Sequence, residues 1–219
     1  MASQKPREPT LTEQARRAQL IDVTTRVIAE HGYAGASLSR IAGAAGITKA
    51  AVLYHFRSKD AVVRAAHEHA LAGLVDHVGG AVEAAGVEEA PAAYVRSMVG
   101  YLRDHPHHTR VVVEALSHDG GERHSRERWG PLADLMGAAR RARGLRTDLD
   151  LRTAALVVGG GIDAIIGEHL DHPDYDPATA AELLVTMLRR ILFSEHDRGE
   201  EEVTDRTPRN SVADSPPIM

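Results

Sequence analysis

The chain has 219 residues, 43% hydrophobic and 26% charged, with a net charge of -5. That is enough apolar sequence for a buried core, and the lack of any cysteine excludes disulfides, thiolate metal centres and a thiol nucleophile. The first ten residues have no apolar stretch of a signal peptide and nowhere do 18 apolar residues run together, so the expectation is a cytoplasmic protein without a membrane span.

Charge is unevenly placed. Residues 1–64 hold ten Lys/Arg against five Asp/Glu, and the remainder 16 against 26. A basic head on an acidic body suits a segment that approaches polyphosphate while the body is repelled from it.

Taken in order, residues 1–10 are polar with two prolines and form a disordered arm that offers Lys5 and Arg7 to a phosphate backbone. A helix runs from about Leu11 to His31 and Gly32 stops it. Leu38, Ile41, Ala42 and Ala45 make one apolar face of a short helix capped by Ser37 and ended by Gly46. Thr48 caps a second short helix, Lys49 to Phe56. Two short helices joined by a Gly-containing turn of about three residues are the signature of a helix-turn-helix. Ile41, Leu53 and Phe56 are its expected core.

Ser58 caps a long helix to about Ala85, with Val63, Ala66, Ala70, Leu74 and Val78 along one face. Further helices run from Pro91 to Asp104, Pro106 to Ser117, Arg123 to Arg143, Leu151 to His169 with Asp150 as cap, and Pro177 to Ser194; residues 117–122 read as a polar loop. No stretch shows sustained strand alternation. The tail from Glu195, with seven acidic residues and three prolines, reads as disordered. The expected fold is all-α with about nine helices: a three-helix head over residues 11–60, a helical body over 61–194, and a disordered tail over 195–219.

The run Gly32, Ser37-Leu38, Ile41-Ala42, Ala45-Gly46-Ile47, Thr48-Lys49, His55-Phe56 and Ser58-Lys59-Asp60 resembles the DNA-binding domain of the TetR family of repressors, in register over about Arg16 to Asp76. Beyond that point the resemblance is one of helical architecture. It implies a regulator that binds a palindromic double-stranded operator as a homodimer and is released by a small-molecule effector. It also implies DNA contacts from Ser37, Arg40, Thr48, Lys49, Ala50, Ala51, Tyr54, His55 and Lys59. Lys49, Ala50 and Ala51 open the recognition helix, where small side chains allow close approach to the bases. At Ser37 and Thr48 a cap and a phosphate oxygen compete for one helix N-terminus. Tyr54, His55 and Lys59 suit phosphate contacts. The chain departs from the family's Tyr-x-His-Phe pattern: in Leu53-Tyr54-His55-Phe56 the tyrosine is displaced by one position, about 100° around a helix.

In the same architecture the last two helices make the dimer interface, which assigns to it the stripes Leu151, Ala155, Val158, Ile162 and Ile165, and Ala181, Leu184, Val185 and Leu188. Gly159-Gly160-Gly161 lies within the first stripe, at about 1 kcal/mol of helix propensity per glycine, which calls for close helix approach or room for a ligand. Among the middle helices, Tyr94, Met98, Tyr101, Trp129, Leu132 and Met136 are the candidates to line an effector pocket. His105, His107, His108, His118 and His124 are discounted as a metal site because they lack fixed ligand spacing, and no cofactor is expected. Without a nucleophile elbow or P-loop, the chain reads as no enzyme. The rival readings are a protein-binding adaptor and a helical small-molecule carrier that keeps the helix-turn-helix as a scaffold.

Overall fold

The computed structural model describes residues 10–118, 125–145 and 149–194. The expected arm at 1–10 except Thr10, most of the loop at 117–122 and the acidic tail, with Lys5, Arg7 and His124, lie outside the described residues, as does the side chain of His118. Nine helices and no strand are found among the described residues: α1 Leu11–Gly35, α2 Leu38–Ala44, α3 Lys49–His55, α4 Lys59–Ala85, α5 Ala90–Asp104, α6 Pro106–His118, α7 Ser125–Ala142, α8 Leu151–Asp171 and α9 Pro177–Phe193.

The helix starts follow from their caps. Ser37, Thr48 and Ser58 each accept the backbone N–H three residues on, at 3.2, 3.1 and 3.1 Å, and Asp150 does the same for Thr153 at 3.1 Å. Thr10 and Glu13 close a reciprocal capping box on α1. At the other end of α1, Gly32 is non-helical with φ 69°, and one more turn follows it. The α2 to α3 turn depends on Gly46 at φ 67°. Its N–H bonds Gly43 O at 3.2 Å and that of Ile47 bonds Ala42 O at 3.0 Å, the paired bonds of a left-handed helix stop.

Two large apolar clusters organise the packing. The head cluster joins Leu20, Val23, Val27 and Ile28 of α1 to Ile41 and Ala42 of α2, Val52 of α3 and Phe56. It also takes in Val62, Ala66 and Ala70 of α4 and Val111 of α6. The body cluster joins α5, α7, α8 and α9 through Val95, Val99, Leu132, Met136, Val158, Ile162, Val185, Leu188 and Leu192. Burial at 25 cal/mol per Å² of apolar surface is the main favourable term for both.

Two expectations need correction. Leu53 is 37% exposed, and the core position is held by Val52; Val52 and Phe56 are four residues apart on one face, and Leu53 is turned off it. The expected dimer stripes lie within the chain's own core: Ala155, Val158, Ile162, Ala181, Val185 and Leu188 are all buried there, with Leu151, Ile165 and Leu184 packed against them. Of the three adjacent glycines, Gly161 alone marks a close approach, since a Cβ there would meet Leu184 Cδ1 at 3.1 Å. By length and composition α8 would suffice to cross a membrane; one face of it, Ala155, Val158, Ile162 and Ile166, is packed inside the bundle, while Leu156 and Val157 are exposed.

Candidate nucleic-acid interface

The head presents the N-terminal half of α3 outward. Lys49 and Ala50 are exposed and Ala51 is half-buried, while Val52 and Phe56 anchor the opposite face. Thr48, exposed, caps the helix through its hydroxyl. The helix therefore offers its first turn with one ammonium, two methyl groups and the positive end of a short dipole. Such a surface can enter a DNA groove with little steric hindrance.

The flanking polar residues form a rim around that turn. Ser37 is exposed at the start of α2, and Arg40 is exposed with one guanidinium N–H bonded back to Gly35 O. Tyr54 is 73% exposed; its hydroxyl donates to Glu13 Oε1 at 3.1 Å, and its ring meets the edge of His55 at 5.1 Å. The displaced tyrosine is thus an outward group steered by α1. His55 is half-buried beneath it.

Lys59 has a second task. Its ammonium donates to Tyr33 O at 2.7 Å and lies over the Tyr33 ring, so one of its three donors is already engaged. Tyr33 in turn donates from its hydroxyl to Asp60 Oδ1 at 2.8 Å; that bond, with smaller effects of burial and the Asp60 charge, raises the phenol above its ordinary range. The end of α1 and the start of α4 are laced together at this point.

Arg17 is the residue that pattern reading missed. Its guanidinium donates to His55 O at the C-terminus of α3 and stands 4.1 Å from the centre of the Phe56 ring. It supplies the positive charge that the helix C-terminus favours and fixes α3 against α1. An open cleft beside it is lined by Arg17, His55, Arg57, Arg64 and Glu68. The sequence signal was there in Arg16-Arg17, but nothing in helical spacing says which arginine reaches α3.

In the body, the six candidate effector residues are divided. Leu132 and Met136 are fully buried in the core, and Tyr94, Met98 and Trp129 are partly buried against it. Tyr101 is buried in a small cluster with Leu74 and Val78, against which Tyr94 and Met98 also pack. Trp129 Nε1 is buried and has no hydrogen-bond partner among the described residues, and the guanidinium groups of Arg126 and Arg152 lie 5.7 and 5.4 Å from the centre of its ring. Tyr94 is pushed up by burial, with Arg128 opposing and Asp163 adding to the shift. No cluster of three or more His, Asp and Glu side chains converges on a metal-sized space among the described residues.

Comparison with known proteins agrees with this geometry. Residues 20–66 match the family described as bacterial regulatory proteins, tetR family. The HTH-type transcriptional regulator BetI of Burkholderia thailandensis is 38% identical over 84 residues, 38% of this chain and 42% of that protein. The chain thus aligns with less than half the length of that relative. A TetR-like transcriptional regulator from Rhodococcus sp. RHA1 superposes with a TM-score of 0.66 at 20% identity, covering 84% of this chain and 97% of that one. The transcriptional regulator FadR from Bacillus subtilis, solved in complex with stearoyl-CoA, gives 0.62 at 18% identity, covering 78% and 96%. At such identities the superpositions establish the fold. The helix-turn-helix over residues 20–66 is thus similar to that of the tetR family of bacterial regulatory proteins, and the whole chain has the fold of TetR-like regulators.

Proposed function

From this similarity we propose that the chain is a transcriptional repressor that binds a palindromic operator as a homodimer and releases it when a small-molecule effector binds the body. The observation that carries the reading is the outward first turn of α3, with Lys49 and Ala50 exposed at its tip and Val52 buried behind them. DNA contacts are assigned to Ser37, Arg40, Thr48, Lys49, Ala50, Ala51, Tyr54, His55 and the remaining donors of Lys59. With one charge and two alanines facing the bases, phosphate contacts supply much of the affinity, and binding is steeply salt-dependent.

For the dimer we assign the outer face of the last two helices. Leu156 and Val157 of α8 and Leu183, Met187 and Ile191 of α9 are exposed, and they lie on the opposite side from the core stripes. Two copies joined there would set the separation of two recognition helices for half-sites one DNA turn apart. For the effector, the indole N–H of Trp129, buried and without a partner among the described residues, favours a ligand that brings a hydrogen-bond acceptor. Leaving such a donor unsatisfied costs about 1–3 kcal/mol, which a bound acceptor would recover.

The test is selection of a bound sequence from random DNA, followed by titration of the chain against it over a range of salt. A palindromic site, bound with an affinity that falls steeply with salt and is lost on Lys49→Ala with Arg40→Ala, is the expected result. Absence of any selected site, or affinity unmoved by both changes, would refute it. Trp129 is the only tryptophan, so its fluorescence reports effector binding without a label.

A further inference from the structure

Three imidazoles surround one phenol where the head meets the body, and a fourth adjoins one of them. Tyr101 of α5 is nearly buried, and its hydroxyl lies 2.8 Å from His108 Nδ1. The His105 ring stands 4.2 Å and the His77 ring 5.4 Å from the Tyr101 ring. His108 is stacked on His105 at 5.5 Å and meets His69 edge-on at 5.7 Å. Gly73 makes room for the phenol, since a Cβ there would come within 2.5 Å of Tyr101 Oη. His69 Nε2 then reaches toward Asp22 of α1, 3.9 Å away.

The cluster is tied to the head from both sides. His69 and His77 are on α4, whose first half is buried in the head cluster. His108 is on α6, which two and three residues later bonds Arg110 to Ala29 O at 3.2 Å and buries Val111 in that same cluster. A change in the imidazole group is therefore carried directly to α1.

We propose that this cluster is a pH-sensitive coupling between body and head, in which protonation of the imidazoles loosens the α1, α4 and α6 junction and changes how the head is held.

The chemistry follows from the inventory of groups. A neutral His108 can either accept from or donate to the Tyr101 hydroxyl at Nδ1; an imidazolium has no lone pair there and can only donate, so protonation fixes the direction of that bond. The groups facing His108 are His69 of α4, His105 just before α6, His107 in its first turn and Asp22 of α1, with Asp104 of α5 near His105 and His77. Of the two carboxylates, Asp104 is already paired with Arg103 at 2.7 Å. Asp22 lies 3.9 Å from His69 on the far side of that ring, and positive charge on His108 is repelled by any on its neighbours. Burial foremost, then His105 and His69, hold His108 below its ordinary 6.5, with Asp22 opposing. The sign is set by that direction: the junction is intact above about pH 6.5 and is weakened as pH falls below it, where the opened state binds more protons.

The chain has no cysteine, so spin labels can be placed at Ala44→Cys in the head and Asp134→Cys in the body of the full chain, diluted with unlabelled protein. The distance distribution is then measured at pH 7.5 and 5.5. The expected result is a shift or broadening in acid that is absent when His69, His105 and His108 are all replaced by Gln, which keeps an acceptor near Tyr101. His105→Gln alone, a milder change, should move the onset to lower pH, because it removes a charge that repels a protonated His108 in the closed junction. A distribution that ignores pH, or one that shifts equally with and without the imidazoles, overturns the proposal. The regulatory consequence rests on the DNA-binding reading: affinity for the selected DNA should fall about five-fold or more between the two pH values. Equal affinity despite an altered distance would overturn that consequence. No DNA binding at any pH would overturn the DNA-binding reading and leave the coupling standing on the distances.

Discussion

Lys59 Nζ donates to the carbonyl oxygen of Tyr33 at 2.7 Å and stands 4.2 Å from the centre of that tyrosine's ring. One side chain therefore closes the seam between α1 and α4 while its other donors remain for a phosphate. Lys59→Met keeps the aliphatic stem and removes both interactions. Its expected cost is about 1–2 kcal/mol in urea unfolding, together with weaker DNA binding. An unchanged unfolding midpoint would show that the lysine has no structural part.

Leu53 is exposed at the position where the resemblance calls for tyrosine, and Tyr54 is exposed beside it. Leu53→Tyr should therefore fold normally, within about 0.5 kcal/mol of the parent, and bind the selected DNA more tightly by one added phosphate contact. Gel-shift titration at two salt concentrations separates a new contact from a nonspecific gain.

The two stripes of α9 should respond oppositely. Leu183→Glu with Met187→Glu places charge on the outer face and should convert dimer to monomer with helicity retained. Val185→Glu buries a carboxylate at a position 1% exposed and should prevent folding. Sedimentation and circular dichroism together distinguish these outcomes, and a dimer that survives both outer changes would remove α9 from the interface.

Asp150 caps α8, and its hydrogen bonds, foremost from the Thr153 hydroxyl and then from the Thr153 backbone, hold its carboxyl below the ordinary carboxylate range. A depressed folded value means stability present at neutral pH and lost as pH falls through that value. Asp150→Asn should accordingly lower the melting temperature at pH 7, with the gap to the parent narrowing toward pH 3. A constant gap would assign the loss to something other than the charge.

Much of the fold was legible because its boundaries are local. Ser37, Thr48, Ser58 and Asp150 announce helix starts, and Gly46 a stop, through bonds that span three to five residues. What lay beyond reading is which partner a face meets. Both stripes of α8 and α9 are apolar, so periodicity finds two faces and cannot say that the one through Val158 and Val185 turns inward. The second role of Lys59 depends on Tyr33, 26 residues away. Tyr101 was assigned to a pocket on its chemistry, yet it packs on Leu74 and Val78 of α4 and against His105 and His108, neighbours that the turn after α5 and tertiary packing bring to it.

The head core is completed by side chains that the head does not own, Val62, Ala66 and Ala70 from α4 and Val111 from α6. Modularity therefore has a limit in this chain. A chimera cut at residue 60 would export three helices without the floor they rest on, and a working exchange of specificity would have to carry the first three turns of α4 and match the incoming surface of α6.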